Sequence, residues 1–251
     1  MNIEWIEPAW PAPPAVRVLT TLRRGGVSTR PYDSLNLARH VGDDADRVAR
    51  NRARLSEGAA LPAMPRWLAQ VHGSNIVEFG SADEHETEPQ ADGAISRVPG
   101  TVLAVLTADC LPIMLCNREG TEIAALHAGW RGLASGIVAA GLAAMRSPRA
   151  SLLAWLGPAV CGRCYEVGDE VRTSILTRLG DTGTAFTATR PGHWLADLPA
   201  VARLLLAAGG VGAIHGGDRC TLHEPDSFFS HRRDGVTGRM ATLIYHMGRA
   251  P

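Results

Sequence analysis

Short apolar runs alternate with longer helical patterns along most of this chain. Five of the runs are four to six residues long and bounded by Gly, Pro, Asp or Asn, a pattern typical of buried strands. The predicted strands are Trp67–Val71, Val102–Thr107, Ile113–Cys116, Ile123–Leu126 and Leu152–Leu156.

Three stretches carry a helical pattern instead. The clearest is Asp197–Ala208, which begins with a residue suited to an N-cap and repeats apolar residues at i, i+3, i+4 and i+7 from Leu198. It ends just before Gly209, a common helix terminator. The other two predicted helices are Leu133–Met145 and Val167–Leu179. Strands alternating with helices predict an α/β fold in which helices cover a sheet.

Composition narrows the class of protein. A chain of 251 residues that is 45% hydrophobic can bury one sizeable core, so a single domain over residues 1–251 is predicted. Charge is balanced at 25 basic and 25 acidic residues, which argues against nucleic-acid or membrane partners. The N-terminus lacks the features of a secretory signal, and five cysteines are an odd number, so we expect a cytoplasmic protein with free thiols.

Three segments end an apolar run in a residue that can bind a metal. They are WLAQVHG with His72, AVLTADC with Cys110 and IAALHAGWRG with His127. Strand ends hold side chains rigidly at the edge of a sheet, so these three are candidates to converge. Two imidazoles and one thiolate suit zinc, and three protein ligands leave a fourth position for water or substrate. The spacings of 38 and 17 residues match no compact zinc motif, and structural roles for all three side chains remain open.

A series of longer motifs resembles one family, the purine nucleoside phosphorylases formerly described as multicopper polyphenol oxidases or laccase-domain proteins. The similarity spans nearly the whole chain, in the family's order. The matching runs are RRGGVS at 23–28, PYDSLNLARHVGDD at 31–44, QVHG at 70–73, ADGAIS at 91–96, TADCLPIMLCN at 107–117, HAGWRG at 127–132, WLGPAVCGRCYEVGDEV at 155–171, GGDRCT at 216–221 and FFSHRRDGVTGRM at 228–240.

The resemblance implies a fold, a metal site and an activity. The fold would be a layered α/β sandwich with mixed sheets and outer helices, similar to the catalytic domain of the cytotoxic necrotizing factor deamidases. The family's metal ligands fall on His72, Cys110 and His127. The implied activity is cleavage of adenosine or inosine with phosphate to the free base and ribose 1-phosphate. Adenosine deamination and methylthioadenosine phosphorolysis are implied as side activities.

Five further residues are candidates for work at this site. Asp109 precedes a ligand and could orient it or act as a general acid or base, although a turn-forming role is equally consistent. Arg131 follows His127 at a predicted helix start, where it could bind phosphate, and Arg23 beside two glycines is a second candidate. Asn36 and Gln70 could hydrogen-bond the nucleoside, but buried structural amides are as common.

The older name of the family can be tested on the histidines. A multicopper oxidase needs many imidazoles, often in closely spaced pairs, whereas this chain has nine His and no His-x-His pair. A laccase is therefore rejected as the principal activity, although the His–Cys–His set also suits a single copper ion. His231 stands where the family commonly has an aromatic residue, and we interpret it as a tolerated surface change rather than a fourth ligand.

Two cysteines form a CxxC motif that invites a redox or zinc-ribbon interpretation. Cys161 and Cys164 lack a second CxxC partner and a thioredoxin-like βαβ context, which argues against a redox role. Cys220 matches the family, but the sequence assigns it no chemistry.

Two rival activities remain open at this stage. One is a peptidoglycan-editing amidase acting on UDP-N-acetylmuramoyl-amino acid precursors. The other is a metal-free hydrolase in which Cys110 is the nucleophile and His127 the base, and in which His72 has no necessary role. The oligomeric state is expected to be a monomer or homodimer.

Overall fold

The fold is a mixed α/β arrangement, as predicted. A computed structural model describes residues 3–80, 87–180 and 185–247. The strands are β1 (Trp5–Ile6), β2 (Val16–Thr21), β3 (Ile76–Phe79), β4 (Gly93–Ser96), β5 (Val102–Thr107), β6 (Leu111–Asn117), β7 (Ile123–Ala128), β8 (Leu152–Leu156), β9 (Glu166–Gly168), β10 (Phe186–Arg190), β11 (His193–Ala196), β12 (Ala213–Gly216) and β13 (Met240–His246). The helices are α1 (Ala45–Gly58), α2 (Trp130–Ser135), α3 (Ile137–Ala144), α4 (Asp169–Leu179), α5 (Leu198–Ala208) and α6 (His231–Asp234).

Two larger sheets organise the core. One has six strands in the order β12-β8-β6-β7-β4-β3, and the other has four in the order β1-β2-β13-β5. The pairs β12–β8 and β3–β4 are parallel, whereas the other pairs in these two sheets are antiparallel. A third sheet, β10-β11-β9, has three short strands.

Strand β6 shows why the sheets lie in layers, because it is buried on both faces. Ile113 and Leu115 point to one face and pack in an apolar cluster with residues of α2, α3, α4 and α5. Met114 and Cys116 point to the other face and pack with residues of the four-stranded sheet. A strand covered on both faces is continuously apolar, which explains the run seen in the sequence.

Most of the predicted strands are confirmed. Val102–Thr107 and Leu152–Leu156 coincide with β5 and β8, and the predictions around 113–116 and 123–126 lie inside β6 and β7. The helix prediction at 197–208 is also confirmed, since the Asp197 side chain caps α5 by accepting a hydrogen bond from the Ala200 N–H at 2.9 Å.

The predicted strand Trp67–Val71 is wrong. Only isolated bridges occur there, joining Arg66 to Leu103 and Ala69 to Gln90. The reason is the side chain of Gln70, which takes the place of a neighbouring strand. Its amide donates to the Leu106 carbonyl at 2.9 Å and accepts from the Leu106 N–H at 2.7 Å, so at Leu106 a side chain rather than backbone pairs with β5.

Two helix predictions need correction at their boundaries. The single helix predicted over Leu133–Met145 is two helices, α2 and α3, separated by Gly136 with φ +95°. A left-handed residue ends a helix, and glycine adopts that conformation without strain. The helix predicted from Val167 begins at Asp169, because Val167 is paired in the short strand β9.

Within the described residues, no helix has both the length and the apolar character that crossing a membrane requires.

Candidate metal centre

The three predicted ligands converge at one end of the six-stranded sheet. His127 lies in β7, Cys110 immediately precedes β6, and His72 lies in the turn before β3. One ligand atom from each lies within 4.8 Å of the others, and the Cys110 Sγ is 3.9 Å from the His72 Nε2. We call these three residues the open triad, because His127 is buried, Cys110 is half-buried and His72 is exposed.

Strand pairing and a glycine explain how the thiol reaches its neighbours. Strands β6 and β7 are antiparallel with Leu111 opposite Ala128, so Cys110 lies beside Gly129. A Cβ at Gly129 would lie only 2.8 Å from the Cys110 Sγ and 3.3 Å from the His72 ring. Any side chain there would therefore intrude into the open triad.

Backbone strain is concentrated at the same place. His72 has φ +60° and Asp109 has φ +92°, a region that residues other than glycine rarely adopt. Such conformations cost of order 1–3 kcal/mol each and persist where surrounding contacts impose them. Here the strain falls on one ligand and on the residue next to another.

The buried carboxylate of Asp92 hydrogen-bonds two of the three triad residues, His72 and His127. Asp92 is fully buried and accepts the His127 Nδ1–H at 2.8 Å, which leaves the Nε2 of that ring facing the triad. The same carboxylate accepts the N–H groups of His72 at 2.9 Å, Gly73 at 2.7 Å and Val71 at 3.2 Å. A carboxylate that fixes a ligating imidazole in this way is typical of metal sites in proteins.

Proximity also controls ionisation within the triad. Burial by itself would raise the pKa of Cys110, but His127 and His72 lower it to about 6. Burial by itself would lower the pKa of His127, but the Cys110 thiolate and Asp92 raise it to about 9. The lowered pKa of Cys110 favours the thiolate, which is the form that a metal binds.

Asp109 holds the loops beside the triad together. Its two carboxylate oxygens accept hydrogen bonds from the Thr221 hydroxyl and from the Arg232 N–H, each at 2.6 Å. Asp109 is buried, with 8% of its surface exposed, and both of its oxygens are engaged. This geometry suits a positioning residue next to Cys110.

Cationic and aromatic side chains lie near the triad. The exposed guanidinium of Arg131 stacks 4.4 Å from the Trp130 ring and forms no ion pair within the described part of the chain. Arg232 stacks 4.6 Å from the Tyr165 ring. Burial raises the pKa of Tyr165 to about 12, the nearby Cys110 thiolate adds to that rise, and the two arginines oppose it. Two guanidinium groups, those of Arg131 and Arg232, therefore lie close enough to act on Tyr165 beside the triad.

The other three candidates are committed to the surrounding structure. The guanidinium of Arg23 donates to the carbonyls of Asp33 and Pro225, at 3.2 and 2.9 Å. Asn36 is fully buried, and its amide donates to the Ala38 carbonyl and accepts from the Ala38 N–H. The side-chain amide of Gln70 hydrogen-bonds the backbone N–H and carbonyl of Leu106 in β5. All three side chains therefore hydrogen-bond backbone groups and stabilise the surrounding structure.

Sequence reasoning missed a second group of ligand-type residues, which we call the Cys3His group. Cys161, Cys164, Cys220 and His223 each place one ligand atom within 4.8 Å of the others. The sequence signal was the CxxC motif together with a C-x-x-H spacing at 220–223, some 56 residues further along. Asp92 was also missed, although it lies in the ADGAIS motif.

His231 lies outside both groups. It is exposed at the start of α6, and its Nδ1 lies 2.5 Å from the Gly235 carbonyl oxygen, so it occupies the surface position expected of it.

The fold and the open triad together define a mixed α/β protein with a His–Cys–His site at one end of its six-stranded sheet, and comparison with known proteins identifies its family. The family model described as multi-copper polyphenol oxidoreductase laccase matches residues 17–247. The chain belongs to this family.

Proteins of known sequence and structure match this chain over nearly their whole length. The chain is 47% identical over 240 residues to purine nucleoside phosphorylase YfiH of Escherichia coli K12, covering 96% of this chain and 98% of that protein. It is 46% identical over 242 residues to purine nucleoside phosphorylase PA4543 of Pseudomonas aeruginosa, with the same coverage. Among solved structures, Neisseria meningitidis NMB0706 superposes with a TM-score of 0.92 at 45% identity, covering 97% of this chain and 99% of that one.

The donor set of the triad fits a metal ion. Zinc binds thiolate sulfur at about 2.3 Å and imidazole nitrogen at about 2.0–2.1 Å, so two ligands of one ion lie about 3.5 Å apart. The 3.9 Å between the Cys110 Sγ and the His72 Nε2 is close to that value. Two ligands at strand ends and one in a turn, with the exposed side at His72, leave one direction open.

Proposed function

We propose that this protein is a zinc-dependent purine nucleoside phosphorylase that cleaves adenosine or inosine with phosphate. The observation that carries the proposal is the convergence of His72, Cys110 and His127 in a chain nearly half identical to proteins named purine nucleoside phosphorylase. The products would be the free base and ribose 1-phosphate, formed when a phosphate oxygen bonds to C1′ and the base leaves with the electrons of the C1′–N bond. Free thiolate ligands favour a reducing compartment, so we place the enzyme in the cytoplasm.

The protein's own residues have separable tasks in this proposal. A zinc ion on the open triad would supply Lewis acidity toward a substrate oxygen. Asp92 holds the His127 ring with its Nε2 toward that site, and Asp109 fixes the loops beside Cys110. Arg131 would bind phosphate in this proposal, which is supported by its exposed guanidinium and by the lack of an ion pair with the described residues.

A second candidate function follows from one specific observation. Asp92, His127 and Cys110 form a chain in which a carboxylate orients an imidazole next to an ionised thiol, as in cysteine hydrolases. A metal-free hydrolase would use this arrangement and would not need His72.

Product analysis tests the proposed reaction. Purified protein is incubated with adenosine or inosine, with and without phosphate, and the products are separated by chromatography. We expect free base and ribose 1-phosphate only when phosphate is present, and loss of both after the metal is removed by chelation. Adenosine deamination would appear in the same assay as inosine, and methylthioadenosine can replace adenosine. A chelated, metal-free protein that keeps full activity would contradict the proposal and favour the cysteine hydrolase.

Arg131→Ala tests the phosphate contact. A charge-assisted hydrogen bond contributes about 1.5–3 kcal/mol, so we expect the KM for phosphate to rise roughly 10- to 100-fold with a smaller change in the KM for nucleoside. Arg118→Ala is the matched control, because Arg118 is also exposed but follows the opposite end of β6. An unchanged phosphate KM would remove Arg131 from the site.

A further inference from the structure

The Cys3His group joins two segments that are distant in the sequence. Cys161 and Cys164 lie in the loop between β8 and β9, whereas Cys220 and His223 lie in the turn that follows β12. The Sγ atoms of Cys161 and Cys164 are 3.3 Å apart, and those of Cys164 and Cys220 are 3.6 Å apart. The His223 Nδ1 is 3.6 Å from the Cys161 Sγ. Four donors from two loops thus face one small volume.

These distances match the edges of a tetrahedron around one ion. With metal–sulfur bonds of about 2.3 Å, two thiolates on a tetrahedral zinc lie about 3.7 Å apart, and a thiolate and an imidazole lie slightly closer. Cys3His is also a donor set that closed structural zinc sites use. We propose that Cys161, Cys164, Cys220 and His223 bind a second metal ion, a structural zinc, separate from the open triad.

The ion would fasten the loops that flank the open triad. Next to Cys220, the Thr221 N–H donates to the Ala159 carbonyl at 3.1 Å, and the Thr221 hydroxyl donates to Asp109, the residue before Cys110. The Arg233 guanidinium donates to the Thr221 carbonyl at 2.9 Å. A metal on the Cys3His group therefore fixes the position of Thr221, and through it the support of Asp109.

A disulfide between Cys161 and Cys164 is the chemical alternative. It would require an S–S bond of about 2.05 Å and the loss of two protons and two electrons to an external oxidant. It would also leave Cys220 and His223 without a role in the cluster. The two outcomes differ in metal content and in the mass of the peptide that contains both cysteines.

Metal analysis on four proteins tests the proposal independently of activity. Protein purified in zinc-containing medium is desalted, and its metal is measured per chain. We expect about two zinc ions per wild-type chain and about one each in Cys164→Ala and Cys110→Ser, since each variant lacks a ligand of a different site. Cys116→Ala is the matched control, because Cys116 is buried in β6 away from both groups, and it should keep two.

A measurement on the wild-type chain covers the case in which a variant does not fold. Cobalt(II) replaces zinc, and thiolate-to-cobalt charge-transfer absorption grows with the number of bound thiolates. Four cobalt–sulfur bonds are expected in total, three of them from the Cys3His group. One metal per wild-type chain with the absorption of one thiolate, or a Cys161–Cys164 disulfide peptide in freshly purified protein, would overturn the proposal. Because the readouts are metal count and absorption, a wrong substrate in the proposed function would leave this test unaffected.

Discussion

The two cysteine–histidine groups of this protein are built differently. The open triad takes its ligands from strand ends and from a strained turn, and a buried carboxylate, Asp92, orients His127 and holds the His72 backbone. The Cys3His group takes its four ligands from two loops. The triad has three donors and an exposed side, whereas the second group has enough donors to enclose an ion by itself.

The difference is consistent with the role proposed for each group. A site that must keep one position open cannot rely on the ion to gather its ligands, so the protein holds them in place through strands and hydrogen bonds. A site with four donors can let the ion organise loops that would otherwise be weakly held. The contrast predicts that substitutions of residues that hold the triad ligands lower its metal affinity. Substitutions in the loops between the two groups should have smaller effects on activity.

The largest effect is expected from removing a ligand of the triad. His72→Ala and Cys110→Ser should each lower zinc affinity and nucleoside cleavage in parallel by at least about 100-fold, because each leaves two protein ligands. Zinc content and kcat/KM are measured on the same preparations.

This pair of variants also separates the two candidate mechanisms. If Cys110 attacks the substrate directly, Cys110→Ser abolishes turnover while His72→Ala retains much of it with no zinc at the triad. An active His72→Ala protein with no zinc at the triad would therefore show that the triad is not a metal centre.

A smaller effect is expected from Asp92→Asn, which keeps the shape of the side chain but removes its charge. The amide cannot accept as well from His127 and from three backbone N–H groups, so the ring and the turn at His72 lose their fixed orientation. We expect a 10- to 100-fold loss of zinc affinity at the triad. Competition with a chelator measures it.

The control for Asp92→Asn is Glu122, another buried carboxylate that immediately precedes a strand of the six-stranded sheet. Glu122 precedes β7 at the end opposite His127, and it accepts the N–H groups of Arg146 and Ser147 at 2.9 and 3.0 Å. Glu122→Gln should lower the free energy of unfolding without changing zinc affinity. Equal losses of affinity in the two variants would show that general destabilisation is responsible.

The parts of the fold predicted from the sequence are those governed by local pattern. Strands β5 and β8 are continuous apolar runs, and α5 has both a cap and a regular repeat, so their boundaries follow from nearby residues. The run at 67–71 is also mostly apolar but forms no strand, because the Gln70 side chain bonds Leu106 of β5 in place of backbone groups. This contact between a side chain and a strand is visible only in the tertiary structure.

The candidate site was also predictable only in part, namely for the residues marked by local sequence pattern. His72, Cys110 and His127 were identifiable because each follows an apolar run, and the structure brings them together. Asp92 and the pairing of the CxxC motif with Cys220 and His223 were not, since both depend on contacts across 35 to 62 residues of chain. For Asn36 and Gln70 the sequence leaves both a substrate contact and a structural amide open, because their hydrogen bonds to backbone groups are visible only in the folded structure.

The smallest effect is expected at the residue that links the two groups. Thr221→Val removes the hydroxyl that donates to the buried Asp109 carboxylate but keeps the volume of the side chain. Leaving a buried acceptor unpaired costs about 1–3 kcal/mol of unfolding free energy, and we expect a fall of a few fold in kcat with zinc retained at both groups. Thr242→Val is the control, because Thr242 is equally buried and bonds Thr20 at 2.9 Å within the four-stranded sheet. It should lose stability without losing kcat. If Thr221→Val behaves like this control, the loops at 159–164 and 220–223 do not support the triad, and the two groups are independent sites.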